Sequence, residues 1–497
     1  MAPERDFDAG AEPPGHGADL AQDLELETVL AAMAGGDPFV GDVSRAALGR
    51  GAENDAAAVL YRQEVLRDSL ANPATVRELY AFATQTIAQE RRLFWAFNSR
   101  QASTVLYGAV ESLQLLCDAL KRLRGLADQH GPAFTSRGFT TLFEALRREL
   151  DDEYLALLRD DLARLRFRSG VLLGAALGDG NQGTDYTLLR TAAAHSTWLQ
   201  RLLRRAPDGL TFAIAERDEA GARALSDLRD RGLNLVANAA AQSAEHLVGF
   251  FTLLRAELAF YVGCLNLHDA LSRLGAPVAL PVPERPQTRT LHFTELYDVA
   301  LALTSGRRPA GNTLDLSGAN LVVVTGANQG GKSTFLRSLG LAQLMMQAGM
   351  FVGAGAFRGA LATSLHTHYR REEDSSMRQG KLDEELGRMS AIADAVGADA
   401  TVLFSESFAA TNDREGSEIA RQIVSALVER RVRVFMVTHL LEFARTLAAG
   451  AGGDIRFLRA ERLENGTRTF RMMPGAPLET SFAEDVHREV FGEGDAP

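Results

Sequence analysis

Leu321-Val-Val-Val-Thr325-Gly326-Ala-Asn328-Gln329-Gly330-Gly331-Lys332-Ser333-Thr334 is the stretch on which the reading of this chain turns. An apolar strand runs straight into a glycine-rich turn. The turn opens into Phe335 to Met350, which is apolar nearly all round and so calls for a helix buried against a sheet. Gly-Lys-Ser in a strand, loop and helix setting is the context that gives a phosphate-binding (Walker A) loop its meaning; a chance glycine turn has no need of it. Glycines let successive N–H groups curl around phosphate oxygens, and the helix start adds the positive end of its dipole. Gly326, Asn328, Gln329, Gly330 and Gly331 form the expected cradle for ATP. Lys332 reaches the β and γ phosphates, Ser333 ligates Mg²⁺, and Thr334 adds a phosphate contact.

Further along, short apolar runs at Thr401 to Phe404 and Val432 to Thr438 alternate with helical stretches, the pattern of a parallel sheet covered by helices. The first run ends in Ser405-Glu406, and a carboxylate at that strand end is where a P-loop ATPase orients its attacking water, so Glu406 is the candidate base. The position before it commonly supplies a metal-binding Asp. Ser405 can reach the metal shell only through a neutral hydroxyl or a water. The missing attraction is on the order of 4 kcal/mol per unit charge at about 4 Å and an effective dielectric of about 20. The second run ends in Thr438-His439, a histidine at the strand end where ligands of open α/β sheets collect, and a candidate γ-phosphate sensor.

Before this region the texture differs. Leu24 to Ala276 carries apolar residues at spacings of three and four (Leu142, Leu146, Leu150, Leu155 and Leu158), broken at Gly170 to Thr184 and at Leu210 to Ala215, where a strand or turn is expected. Four prolines between Gly275 and Gln287 block helix continuation and mark a boundary. The expected layout is a flexible tail (1–23), a helical domain (24–276), a Pro-rich linker (277–290), a nucleotide-binding domain (291–492) and a short tail (493–497). The fold class is therefore α plus α/β. The 497 residues carry a net charge of −11, which excludes coating of nucleic acid by bulk attraction and leaves only local contact. Two cysteines, Cys117 and Cys264, are too few for a disulfide framework or a zinc site, and the acidic, Gly- and Pro-rich start lacks the features of a secretory signal. A cytoplasmic setting follows. His246 to Leu267 is the most apolar long stretch, but Arg255 and Glu257 in its middle point to a buried core helix and to no membrane partner.

Together these residues resemble the ATPase domain of the MutS family of DNA mismatch repair proteins. The similarity lies in Thr325-Gly-Ala-Asn328-Gln-Gly-Gly-Lys-Ser-Thr334, in Phe335-Leu-Arg directly after it, and in Gln347-Ala-Gly-Met-Phe-Val352. It continues in Glu406-Ser-Phe-Ala-Ala-Thr411-Asn-Asp-Arg-Glu415-Gly416, in Thr438-His439, in a hairpin over Ile455 to Met473, and in Thr480-Ser-Phe-Ala. The resemblance spans about Leu291 to Gly492 and more faintly the helical part, which would correspond to a core and lever. It implies dimerisation through the ATP sites, and a segment near Arg378-Gln-Gly380-Lys381-Leu-Asp-Glu-Glu385-Leu386 donated to the partner's nucleotide. The family's Ser is missing there, so backbone N–H and charge at Gly380 and Lys381 would stand in for it. The following helix has core spacing at Leu382, Leu386, Met389, Ile392 and Val396. Nothing before Leu24 can house a mismatch-reading domain, and Phe293-Thr294-Glu295, a triplet of the kind that domain uses, reads as a structural coincidence.

Two functions remain open on the sequence. One is a nucleotide-switched, dimeric DNA-binding clamp in repair or recombination, its local basic clusters being Arg164, Arg166 and Arg168, and Arg201, Arg204 and Arg205. Both clusters also read as solvated helix faces diluted by Asp160, Asp161 and Asp208. The other is a nucleotide-dependent protein-assembly switch with weak or no ATPase and no DNA role, which Ser405 and the acidic total favour.

Overall fold

The computed structural model describes residues 17–49, 55–93, 101–167, 170–189, 213–215, 217–327, 329–371, 380–450, 452–463 and 466–477. Helices come first: α1 (Gly17–Asp23), α2 (Leu26–Ala34), α3 (Pro38–Gly49), α4 (Ala56–Ala71), α5 (Pro73–Leu93), α6 (Ala102–His130), α7 (Arg137–Glu149) and α8 (Asp152–Leu165). Asp55 and Asp151 cap α4 and α8 by accepting backbone N–H bonds, satisfying donors that a helix start leaves free. An antiparallel hairpin, β1 (Leu173–Leu177) and β2 (Gly183–Leu188), occupies the glycine-rich interruption, and the long helix α9 (Glu219–Arg273) follows.

The chain forms two compact units. One comprises residues 78–133 and 140–255. Its core joins Leu106, Ala109, Val110, Leu113 and Cys117 of α6 to Leu162 of α8 and Leu233 and Ala237 of α9. Among the described residues, α9 alone is long and apolar enough to cross a membrane, and 56% of its most apolar window is buried inside the protein.

The other unit takes residues 1–77, 134–139 and 256–497. Its centre is a six-stranded sheet of β6 (Leu321–Thr325), β8 (Leu365–Tyr369), β9 (Thr401–Ser405), β10 (Arg433–Val437), β11 (Ile455–Arg462) and β12 (Arg468–Pro474), in the spatial order β12-β11-β6-β10-β9-β8. Every neighbouring pair is parallel except the β11–β12 hairpin. Strands β6, β9 and β10 are buried along their whole length, as a sheet covered on both faces requires. The connecting helices are α10 (Val299–Ser305), α11 (Lys332–Gln347), α12 (Lys381–Ala395), α13 (Asp413–Glu429) and α14 (Leu441–Ala449). Helix α11 buries twelve of its sixteen residues, as its all-round apolar character demands.

Three expectations need correction. The flexible tail does not extend to residue 23: residues 17–23 are helical, Leu20 and Asp23 are buried, and Arg371 pairs with Asp19 (2.7 Å) and Asp23 (3.3 Å). Residues 24–77, with 134–139 and 256–276 of the expected helical domain, belong to the sheet unit. Leu24 is fully buried, and Arg337 of α11 pairs with both Glu25 and Asp298. The Pro-rich segment is no free linker either. It supplies β3 (Val282–Glu284) to a second sheet, β3-β7-β4-β5, completed by β4 (Leu291–Leu296), β5 (Asn312–Asp315) and β7 (Ala356–Ala360).

Gly340 of α11 marks how closely the N-terminal segment approaches: a Cβ placed there would meet Leu24 Cδ2 at 2.6 Å and Leu403 Cδ1 at 2.8 Å, both from buried side chains. Gly340→Val is expected to lower unfolding free energy by about 2 kcal/mol, because overpacking outweighs the gain in helix propensity. Denaturant titration checks this, and undiminished stability would show that the contact yields easily.

Candidate functional site

Strand β6 delivers the chain to the turn, and the turn geometry explains its composition. Gly331, the residue before α11, has φ 84°, a left-handed conformation that L side chains rarely adopt. At Gly330 a Cβ would lie 2.7 Å from Ala460 Cβ and 2.9 Å from the Ala327 carbonyl, so only glycine lets the loop pass there. Lys332 is buried at 5% exposure, and its Nζ donates to the carbonyls of Gly326 (3.1 Å) and Ala327 (2.9 Å). Burial pulls its ammonium below the usual lysine range, opposed by the charge of Glu406. A poorly solvated cation at the mouth of a turn of backbone N–H groups suits a polyanion. Gln329, also at positive φ, accepts from Arg468 at 3.0 Å. Asn328 lies outside the described residues.

At the carboxyl end of β9, Ser405 Oγ lies 3.1 Å from Ser333 Oγ. The two candidate metal-shell hydroxyls are thus brought together from positions 72 apart in sequence. Among the described residues no group of three or more His, Cys, Asp or Glu could hold a metal ion. A metal here would rest on these hydroxyls together with oxygens brought by the nucleotide and water. Glu406 follows, with φ 54°. Its Oε1 is 3.2 Å from His439 Nε2 and its Oε2 4.0 Å from Arg370. The hydrogen bond from His439, with the fields of His439, Lys332 and Arg370, holds the Glu406 carboxyl below its usual range against the opposing effect of burial. Its ionised form, the one able to accept a proton from water, is favoured.

Lys332, Ser333, Thr334 and Glu406 line a cleft of about 570 Å³. The cleft also carries residues the sequence reading did not single out: Leu301, Arg307, Arg308 and Asn312 from the α10–β5 region, and Phe470 of β12, which lies against Gly331. Phe470 is half exposed, with φ 60°. A second hollow of about 180 Å³ holds Arg370, Ser407, Thr411 and His439, so Glu406 borders both. Arg370 escaped notice because β8, with its sequence Leu365-His-Thr-His-Tyr369, has no continuous apolar run to announce a strand. Phe470 was hidden within a hairpin whose role is visible only once β11 pairs with β6.

Other candidates fall elsewhere. Phe293 is fully buried and stacks on Phe357 (6.2 Å, 15°), and Glu295 pairs with Arg308, so this triplet is core and strand edge, as expected. Arg164 and Arg166 pair with Asp161 (3.2 Å) and Glu111 (2.6 Å), so each shares its surface with a carboxylate. Arg168, Arg201, Arg204, Arg205, Arg378 and the Thr480 segment lie outside the described residues. On α12 the expected core spacing fails at one place: Leu386 is exposed and Glu385 is buried instead.

Two family descriptions match the sequence, the MutS2 N-terminal domain over residues 54–274 and MutS domain V over residues 322–468. Among similar proteins, MutS protein homolog 4 of Mus musculus is 25% identical over 43% of this chain and 23% of its own length. Endonuclease MutS2 of Enterococcus faecalis is 25% identical over 44% and 28%. DNA mismatch repair protein MutS of Thermus aquaticus is 29% identical over 37% and 24%. The chain spans about a quarter of the length of each of these relatives.

The lysine carries a prediction. A cation with a depressed folded value costs stability while protonated in both states, and the cost fades as pH rises through that value toward the ordinary 10.5. Lys332→Met is therefore expected to melt higher than the parent at pH 7, with the gap closing by about pH 10. A lower melting temperature at pH 7 would contradict the assigned cost of burial.

Proposed function

We propose, from the premise that this chain belongs to the MutS family, that it is an ATP-binding and ATP-hydrolysing DNA-associated protein of repair or recombination. We further propose that it works in the cytoplasm as a dimeric clamp whose state is set by its nucleotide. The observation that carries the reading is the meeting of Lys332, Ser333 and Glu406 in one cleft, with Ser405 bonded to Ser333 and His439 to Glu406 behind them.

In this reading the N–H groups from Gly326 to Thr334 bind the ATP phosphates, and Lys332 neutralises the β and γ groups. Phe470 offers an aromatic face of the kind on which bases stack. Mg²⁺, held by Ser333 and, through water, by Ser405, would supply charge neutralisation at the phosphates. Glu406 orients a water and accepts its proton as the water oxygen attacks the γ phosphorus and the bond to the β–γ bridging oxygen breaks. His439 fixes the carboxylate and is close enough to respond to the γ phosphate. Mispair recognition forms no part of the proposal. An assembly switch without DNA is the second reading, favoured by Ser405 and by the engagement of Arg164 and Arg166 with carboxylates.

Glu406→Gln is expected to bind ATP normally and to turn it over roughly 100-fold more slowly. Native turnover by this variant would remove Glu406 as base. Titrating homoduplex, mismatched and branched DNA against the turnover of the parent is expected to raise the rate, with the effect fading as salt rises. A flat response to all three at low salt would favour the assembly switch. Ser405→Asp is expected to lower the Mg²⁺ concentration needed for half-maximal turnover, roughly tenfold for each 1.4 kcal/mol regained. An unchanged metal titration would place Ser405 away from the ion.

A further inference from the structure

His368 has no role in the reading above, yet it is fully buried directly behind the candidate base. It pairs in register with Phe404 on β9. Its ring stacks on Phe408 (5.5 Å, 19°) and tilts against Phe404 (5.8 Å). Nε2 lies 3.0 Å from the backbone carbonyl of Glu385, and Nδ1 lies 2.7 Å from Ser407 Oγ. A carbonyl can only accept, so the hydrogen sits on Nε2. Burial pushes the basicity of the ring down to about 4, which leaves it neutral near pH 7 with a lone pair on Nδ1. The Ser407 hydroxyl donates to the backbone carbonyl of His368 at 2.6 Å, and the same hydrogen is within reach of that lone pair.

Ser407 sits between two residues in the left-handed region, Glu406 at φ 54° and Phe408 at φ 65°. Such conformations are strained for ordinary side chains and persist only when the surroundings impose them. The His368 ring touches this turn at two points, the Ser407 hydroxyl and the Phe408 face. At its other edge the ring holds α12. The Glu385 carboxyl is buried but its oxygens have no hydrogen-bond partner, so this turn of α12 meets the core through its backbone carbonyl.

We propose that His368 is the positioning residue of the hydrolytic base: it fixes the Glu406–Phe408 turn through Ser407 and ties that turn to the start of α12, so that movement of α12 displaces Glu406. This rests on the reading of Glu406 as the base. It makes α12 a regulator of hydrolysis within the same chain.

The test compares the full chain with His368→Phe, which keeps a stacking ring and loses both nitrogens, with Ser407→Ala, with the double variant, and with Glu406→Gln as reference. Affinity for a non-hydrolysable ATP analogue, KM and kcat are measured for each. The expected result is affinity and KM within about twofold of the parent, kcat about tenfold lower in each single variant, and a double variant no slower than the slower single. A lower melting temperature with unchanged kcat, or losses that multiply in the double variant, would overturn the positioning role. Should His368→Phe fail to fold, Ser407→Ala decides, and native kcat there overturns it. Native turnover by Glu406→Gln sinks the base assignment and this role together; a crippled Glu406→Gln beside unimpaired His368 and Ser407 variants sinks the positioning role alone.

Discussion

The Lys332 ammonium is held almost out of water by two carbonyls of the loop that precedes it, and the sheet unit is arranged around that one charge. Carbonyl dipoles alone solvate an ammonium less well than water does, so its folded pKa falls. The remaining field comes from Glu406, which sits at the end of a different strand. A turn of free N–H groups and an under-solvated lysine both ask for anionic oxygen, and the parallel register of β6, β10 and β9 places Ser333, Ser405 and Glu406 at one edge to manage what arrives.

The central part of this arrangement was legible in the sequence because chemistry and periodicity agree there. The run before Gly326 can only be a buried strand, the run after Lys332 only a buried helix, and the Gly-Lys-Ser between them leaves one geometry. Elsewhere the code is weaker. β8 interleaves two histidines and a threonine with Leu365 and Tyr369, so neither alternation nor an apolar run appears, although all but the last residue are buried. β7 includes Arg358 and Gly359, and it becomes a strand through pairing with β3 and β4 rather than through its own preference. The inversion at Glu385 and Leu386 has a similar origin. Spacing chooses the leucine, but the contact that seats this turn is a backbone carbonyl on a histidine, which no hydrophobic pattern encodes.

Residues held at positive φ recur at and behind the cleft: Gln329 in the loop, Glu406 after β9 with Phe408 in the core behind it, and Phe470 beside Gly331. None is glycine, so each stores energy that the surrounding packing must offset. Ser405 fits this economy of charge. An aspartate there would stand beside Glu406 and raise the anionic density at a strand end already balanced by Lys332, His439 and Arg370. Serine keeps the hydrogen bond to Ser333 and lets one carboxylate command the cations.

The N-terminal helices have a bearing on how the protein is made. Asp19 meets Arg371 across 352 positions, and Glu25 meets Arg337 across 312. On a ribosome adding about 5 to 20 residues per second, Leu24 and the residues beside it wait roughly 15 to 60 s for the helix α11 that Leu24 packs against. During that interval their apolar face is open to chaperones and to neighbouring nascent chains. Completion of the sheet unit is thereby a late event in synthesis, closed as the N-terminal helices fold back onto β8 and α11.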